Sequence, residues 1–83
     1  MDRAEIIRVG PVSGGWSVHC SVTANTLMFS SGAQAERAAR SLGACLARVG
    51  HDVQMSVHDR YENLVGTAHY YASSPLELIS QVA

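Results

Sequence analysis

Between Ala35 and Val49 the side chains of Ala35, Ala38, Ala39, Leu42, Cys45, Leu46 and Val49 recur at the spacing of one face of an α-helix. At 100° per residue they occupy an arc about 120° wide, so one side of this helix must be buried and the other need not be. Ser31 followed by Gln34 has the form of a capping box, and Gly50 supplies a left-handed stop. A chain with one such helix has a single apolar stripe to cover, and the remaining residues must build the surface that covers it.

That surface reads as a sheet. Trp16 to Val22 alternates apolar and polar for seven residues, sending Trp16, Val18, Cys20 and Val22 to one side and Ser17, His19 and Ser21 to the other. Glu5 to Val9 is a short β-branched run halted by Gly10-Pro11 and reads as an edge strand. Thr26 to Ser30 supplies a third strand, with Leu27 and Phe29 inward. After the helix, Val53 to His58 alternates again, Asp59 to Asn63 turns, and Leu64 to Tyr71 returns, which makes a hairpin. Any even-length connection pairs even with odd numbers, and on that pairing Val53, Met55 and Val57 share a face with Leu64, Gly66, Ala68 and Tyr70, leaving Gln54, Ser56, His58, Val65, Thr67, His69 and Tyr71 on the other. Ser74-Pro75-Leu76-Glu77 has the signature of a helix start, so a short helix is expected from Pro75 to Val82.

The expected fold class is therefore α+β: an antiparallel sheet in the element order β-β-β-α-β-β-α, with one long amphipathic helix on the Trp16 face and Trp16, Val18, Phe29, Leu42, Leu46 and Val57 in one core. At 83 residues the chain forms a single domain, 1–83, which buries about 60 to 65% of its unfolded surface. An apolar fraction of 47% with 16% charged residues excludes a disordered chain. The opening residues carry acids and no apolar h-region, and no apolar run approaches the ~18 residues of a membrane span, so a cytoplasmic protein without a membrane partner is expected. Cys20 and Cys45 lie on different elements without C-x-x-C spacing and read as core thiols.

The Trp-x-Val strand, the Phe29-Ser30-Ser31 helix start, the Ala35…Ala38-Ala39…Leu42 helix and the Val57-His58-Asp59 strand end resemble a group of short uncharacterised bacterial proteins across residues 9–66. Those motifs are structural, and the resemblance implies no catalytic residues.

Chemistry is sparse in the pattern. His19, His51, His58 and His69 lack the short ligand spacings of a zinc site, so no metal and no cofactor is expected. His19-Cys20 fails as a nucleophile and base because neighbours on a strand point to opposite faces. The acids are scattered, the Gly10 to Gly15 loop has no phosphate-cradle pattern, and catalysis is not expected. Two surfaces remain. The outer sheet face, with Ser17, His19, Ser21, Gln54, Ser56, His58, Thr67, His69 and Tyr71, is nearly uncharged and suits burial against another protein or a second copy in a homodimer. Such a module would resemble the small inhibitors or adaptors that bacteria and phages encode. Arg37, Arg40 and Arg48 fall within about 80° on the outer side of the helix and offer an alternative, a weak nucleic-acid contact. The absence of lysine and a net charge of -1 count against that alternative.

Overall fold

The structure is a computed structural model and describes residues 4–23 and 25–72; the helix expected at 75–82 lies outside the described residues. The single described helix, α1, runs Gly32–Arg48. Its start is fixed by the Ser31 hydroxyl, which accepts from the Gln34 N–H at 3.1 Å. Its end is fixed by Gly50 at φ 105°, where the Gly50 and His51 N–H groups donate to the Ala47 and Leu46 carbonyls at 3.1 and 3.0 Å. The buried line of α1 is Ala35, Ala39, Gly43 and Ala47, four residues apart, with Leu42 and Leu46 half-buried beside it. Cys45 and Val49, expected on the covered stripe, are exposed. The helix is turned toward its smallest side chains, because those let it approach the sheet. Gly43 adds nothing to an apolar pattern, yet a methyl group there would sit 2.8 Å from the Tyr70 ring.

Five strands follow the expected segments: β1 Glu5–Val12, β2 Gly15–Cys20, β3 Thr26–Phe29, β4 Val53–His58 and β5 Leu64–Tyr70. They form one sheet in the order β3-β2-β1-β4-β5. The sheet is mixed, not antiparallel as expected, since β1 and β4 run parallel while every other neighbouring pair is antiparallel. The reason is chain direction. A helix laid along a sheet returns the chain to the end it left, so β4 runs the same way as β3. In the meander β1-β2-β3 both outer strands share that direction, so β4 can join either free edge only in parallel.

Joining at β1 moves that strand from the expected edge to the centre of the sheet. Gly10-Pro11 does not stop it either. Backbone groups alternate sides along a strand: the Glu5 N–H donates to Asp52 beside β4, and the Ile6 carbonyl accepts from Ser21 beside β2. Pro11 shares the parity of Glu5, so its missing N–H falls on the β4 side, where pairing has already ended at Val9↔Val57. Gly14, at φ 80°, then turns the chain into β2.

Ile7, Val9, Val18, Cys20, Val53 and Met55 meet Ala35 and Ala39 in the core, and Trp16, Phe29, Leu42, Leu46 and Val57 pack against them. The expected core residues thus do share one cluster. Three other assignments change. Val22 lies past the end of β2 and is exposed, and Leu27 pairs with Val18 at the short outer strand but remains 48% exposed. Leu64 leaves the core face because Gly66 pairs with Val57 while Leu64 pairs with His58. Val65 is the extra residue of that bulge, and one extra residue reverses the facing.

Adjacent isoleucines test the central position of β1. Ile7 is fully buried while Ile6 is 45% exposed. Ile7→Ala should lower the unfolding free energy by about 2 to 5 kcal/mol, and Ile6→Ala by less than about 1 kcal/mol. Denaturant titration measures both, and equal effects would contradict the placement of β1. Gly15→Ala should also destabilise, by about 1 to 3 kcal/mol, because its methyl group would lie 2.5 Å from the Phe29 carbonyl oxygen.

Candidate functional site

With α1 on one side, the second face of the sheet has no covering element among the described residues. The strand register builds it in rows. One row crosses all five strands as Thr26, His19, Arg8, Ser56 and Thr67, and a second runs Ser21, Ile6, Gln54 and His69. Of the residues expected on this face, His19, Ser21, Gln54, Ser56, Thr67 and His69 are brought together by the register, and Tyr71 joins them by stacking on His69 at a ring separation of 6.1 Å.

Two expected members are engaged elsewhere. Ser17 is buried, and its hydroxyl donates to the Gly10 carbonyl at 3.5 Å. His58 is half-buried at the end of β4, with Nδ1 3.2 Å from the Val9 carbonyl oxygen, so it closes the strand end and does not present itself to a partner. Ser21 is exposed but partly committed, accepting from the Ile6 N–H and donating to Glu5, both at 2.8 Å.

The centre of the face is occupied by Arg8 and Ile6, which the edge-strand reading of β1 left out. Arg8 lies over Gly10, where a methyl group would come within 2.8 Å of the guanidinium, and reaches across the sheet to Glu62 at 2.6 Å. Glu62 holds φ 67°, a left-handed conformation that costs a residue with a side chain roughly 1 to 2 kcal/mol. An exposed ion pair returns about 0 to 1 kcal/mol, so Arg8 alone does not hold the loop. Asp59 supplies the rest, its carboxylate accepting from the Tyr61 and Asn63 N–H groups at 2.8 and 2.9 Å. Those bonds, led by the Asn63 N–H, hold the Asp59 pKa below its ordinary value. Sequence reasoning could have found Arg8 by treating Glu5 to Val12 as a strand with two neighbours, since Ile7 and Val9 inward leave Ile6 and Arg8 outward.

Of the helix arginines, Arg37 and Arg40 border one shallow depression with Ala33 and Glu36, while Arg48 lies two turns further along α1. Arg40 is held by Glu36 through two hydrogen bonds of 3.1 and 2.6 Å, and that carboxylate raises the Arg40 pKa. Arg37, Arg40 and Arg48 are all exposed on the outer side of α1, and of the three Arg40 is the one held by a carboxylate. His19 is exposed while Cys20 beside it is buried, so the two cannot share a reaction. Among the described residues no three His, Cys, Asp or Glu side chains lie close enough to hold a metal ion, and no helix is long and apolar enough to cross a membrane. A scan against family models returns no match for the chain, and searches of curated proteins and of solved structures return none either.

The Asp59 turn gives a pH dependence with a definite sign. A carboxylate whose folded pKa is depressed contributes stability that is complete above its unfolded pKa and is lost as pH falls through the folded one. Asp59 should therefore titrate below 3.8 by NMR, and Asp59→Ala should remove part of the acid loss of stability seen in melts below about pH 4. A normal Asp59 titration would mean the turn is not held this way in solution.

Proposed function

We propose that this chain is a non-enzymatic protein-interaction module, an inhibitor or adaptor in kind, whose open sheet face meets its partner. What supports this reading above all is the composition of that face. Its rows carry Thr, His, Ser, Gln and the exposed apolar Ile6, the exposed Met28 lies on the same face opposite Ser17, and the single central charge, Arg8, is already matched by Glu62. Desolvating neutral polar groups that find hydrogen-bond partners costs little, whereas desolvating unmatched charges costs several kcal/mol. A face built to remain in water has no need to avoid charge, and this one avoids it. Charge depletion with His, Tyr, Met and Arg retained is the usual composition of an interface centre.

The alternative, nucleic-acid binding through Arg37, Arg40 and Arg48, is weaker because Glu36 occupies Arg40 and the chain is net negative. Phosphate binding draws its free energy from released counterions in proportion to the cations supplied, and three exposed arginines, one of them paired with a carboxylate, supply few.

Two experiments separate these readings. Gln54→Glu with Met28→Glu places charge at two ends of the open face, away from Arg8, at a folding cost of about 1 kcal/mol or less each. The double variant should melt close to the parent yet lose the partner recovered with the parent from its source cell; an unchanged partner set would show that the face only meets water. In gel shifts at low salt, the parent should move neither DNA nor RNA. A shift that disappears in the Arg37→Gln, Arg40→Gln, Arg48→Gln variant would favour the alternative.

A further inference from the structure

We infer that the free edge of β5 pairs antiparallel with β5 of a second copy, joining two five-stranded sheets across a two-fold axis. This surface is separate from the open face, and the inference does not depend on what that face binds.

The backbone states what kind of occupant the edge takes. Asp52 turns its carbonyl toward β1, so Val53, Met55 and Val57 turn their N–H and C=O groups toward β5, where they meet Tyr70, Ala68 and Gly66. Alternation then points the N–H and C=O groups of Thr67 and His69 away from the sheet. Among the described residues nothing pairs with them, since β5 is the last strand in the order. A row of outward donors and acceptors at strand spacing is satisfied best by another strand.

The edge also lacks the features that prevent such pairing. From Leu64 to Tyr70 it contains no charged residue and no proline, and its one bulge, at Val65, lies at its start. The opposite edge, β3, has four residues against the seven of β5. An uncharged strand is compatible with a copy of itself, because two-fold pairing sets no like charges opposite one another.

Charge balance beside the edge suits a second copy, because neither copy brings an unmatched charge to the other. A cleft of about 180 Å³ separates α1 from β5, with Glu36 and Arg40 on its helix side and Gly66 and Thr67 on its strand side. These two opposite charges, one turn apart on α1, therefore lie beside the middle of β5. A two-fold axis through that region runs the two helices antiparallel, and because Glu36 and Arg40 bond each other within one chain at 2.6 Å, each copy offers the other a matched pair and no net charge.

The test uses the whole chain. Light scattering across a concentration series should give twice the 8.9 kDa chain mass at high concentration, and the Thr67 and His69 amides should exchange more slowly as concentration rises. Val65→Lys with Thr67→Lys sets like charges opposite one another where β5 pairs about Gly66 or Thr67, crowds four like charges along the joint edge in the other registers, and should return the mass to that of one chain. Thr67→Pro, which removes one outward N–H and none directed at β4, should do the same. Circular dichroism and melting curves show that each variant is folded; if the lysine variant fails to fold, concentration-dependent amide exchange in the parent decides the question. The Gln54→Glu, Met28→Glu variant should still dimerise, which separates this surface from the open face. A parent that stays monomeric at all concentrations overturns the inference. So does slow exchange of Thr67 and His69 that is independent of concentration, which would mean that residues 73–83 of the same chain cover the edge.

Discussion

A helix lying along a sheet hands the chain back to the end from which it came, and the pairing of β1 with β4 is the consequence around which this domain is arranged. β4 can meet the meander only in parallel, and because it joins at β1 and not at β3, β1 becomes the centre between β2 and β4, with Ile7 and Val9 sealed between neighbours on both sides. The β1 side chains that point away from the helix are carried to the middle of the open face by the same step. Chain direction and the choice of the β1 edge together fix the deepest part of the core and the most central part of the opposite surface.

Local chemistry was legible in the sequence where it acts through near neighbours. The caps at Ser31 and Gly50, the alternation of β2 and β4, and the parity linking Val53, Met55 and Val57 to Gly66, Ala68 and Tyr70 all depend on residues close in sequence, and all appear in the structure. What misled were positions decided by distant partners. Pro11 is a strand breaker only where its missing N–H is needed, and the end of β4 makes it unneeded. Gly43 is silent in any count of apolar residues, although the Tyr70 ring lying against it helps set the rotation of α1. Leu64 was misplaced by a single bulged residue that no propensity marks. On the candidate face the polar positions were visible from alternation alone, whereas Arg8 and Ile6 needed the strand order.

The two sides of the sheet divide the work of a small domain. The helix side uses Ala35, Ala39, Gly43 and Ala47 to bring α1 near, so that β-branched and sulfur-containing side chains from three strands fill the space beneath it. The other side spends its polar groups on local tasks: Ser17 and His58 bond backbone carbonyls, Ser21 bridges Ile6 and Glu5, and Arg8 ties the distant loop to the sheet. Apart from His19 and Thr26, which share a hydrogen bond of 3.3 Å, what remains on it is uncharged and uncommitted, a combination that leaves shape and hydrogen bonding to specify what it meets.

The parallel pair also has a kinetic side. Glu5 meets Val53, so the central pairing closes most of the chain into a loop, at an entropic cost on the order of 3 kcal/mol before any contact within it is counted. The β1-β2 hairpin turns at Ser13 and Gly14 and can form within microseconds. On a ribosome, the first three strands and the helix emerge before β4 exists, so β1 waits with one side of its backbone unsatisfied. Through that interval the strand destined to be the most protected in the domain is its most exposed edge.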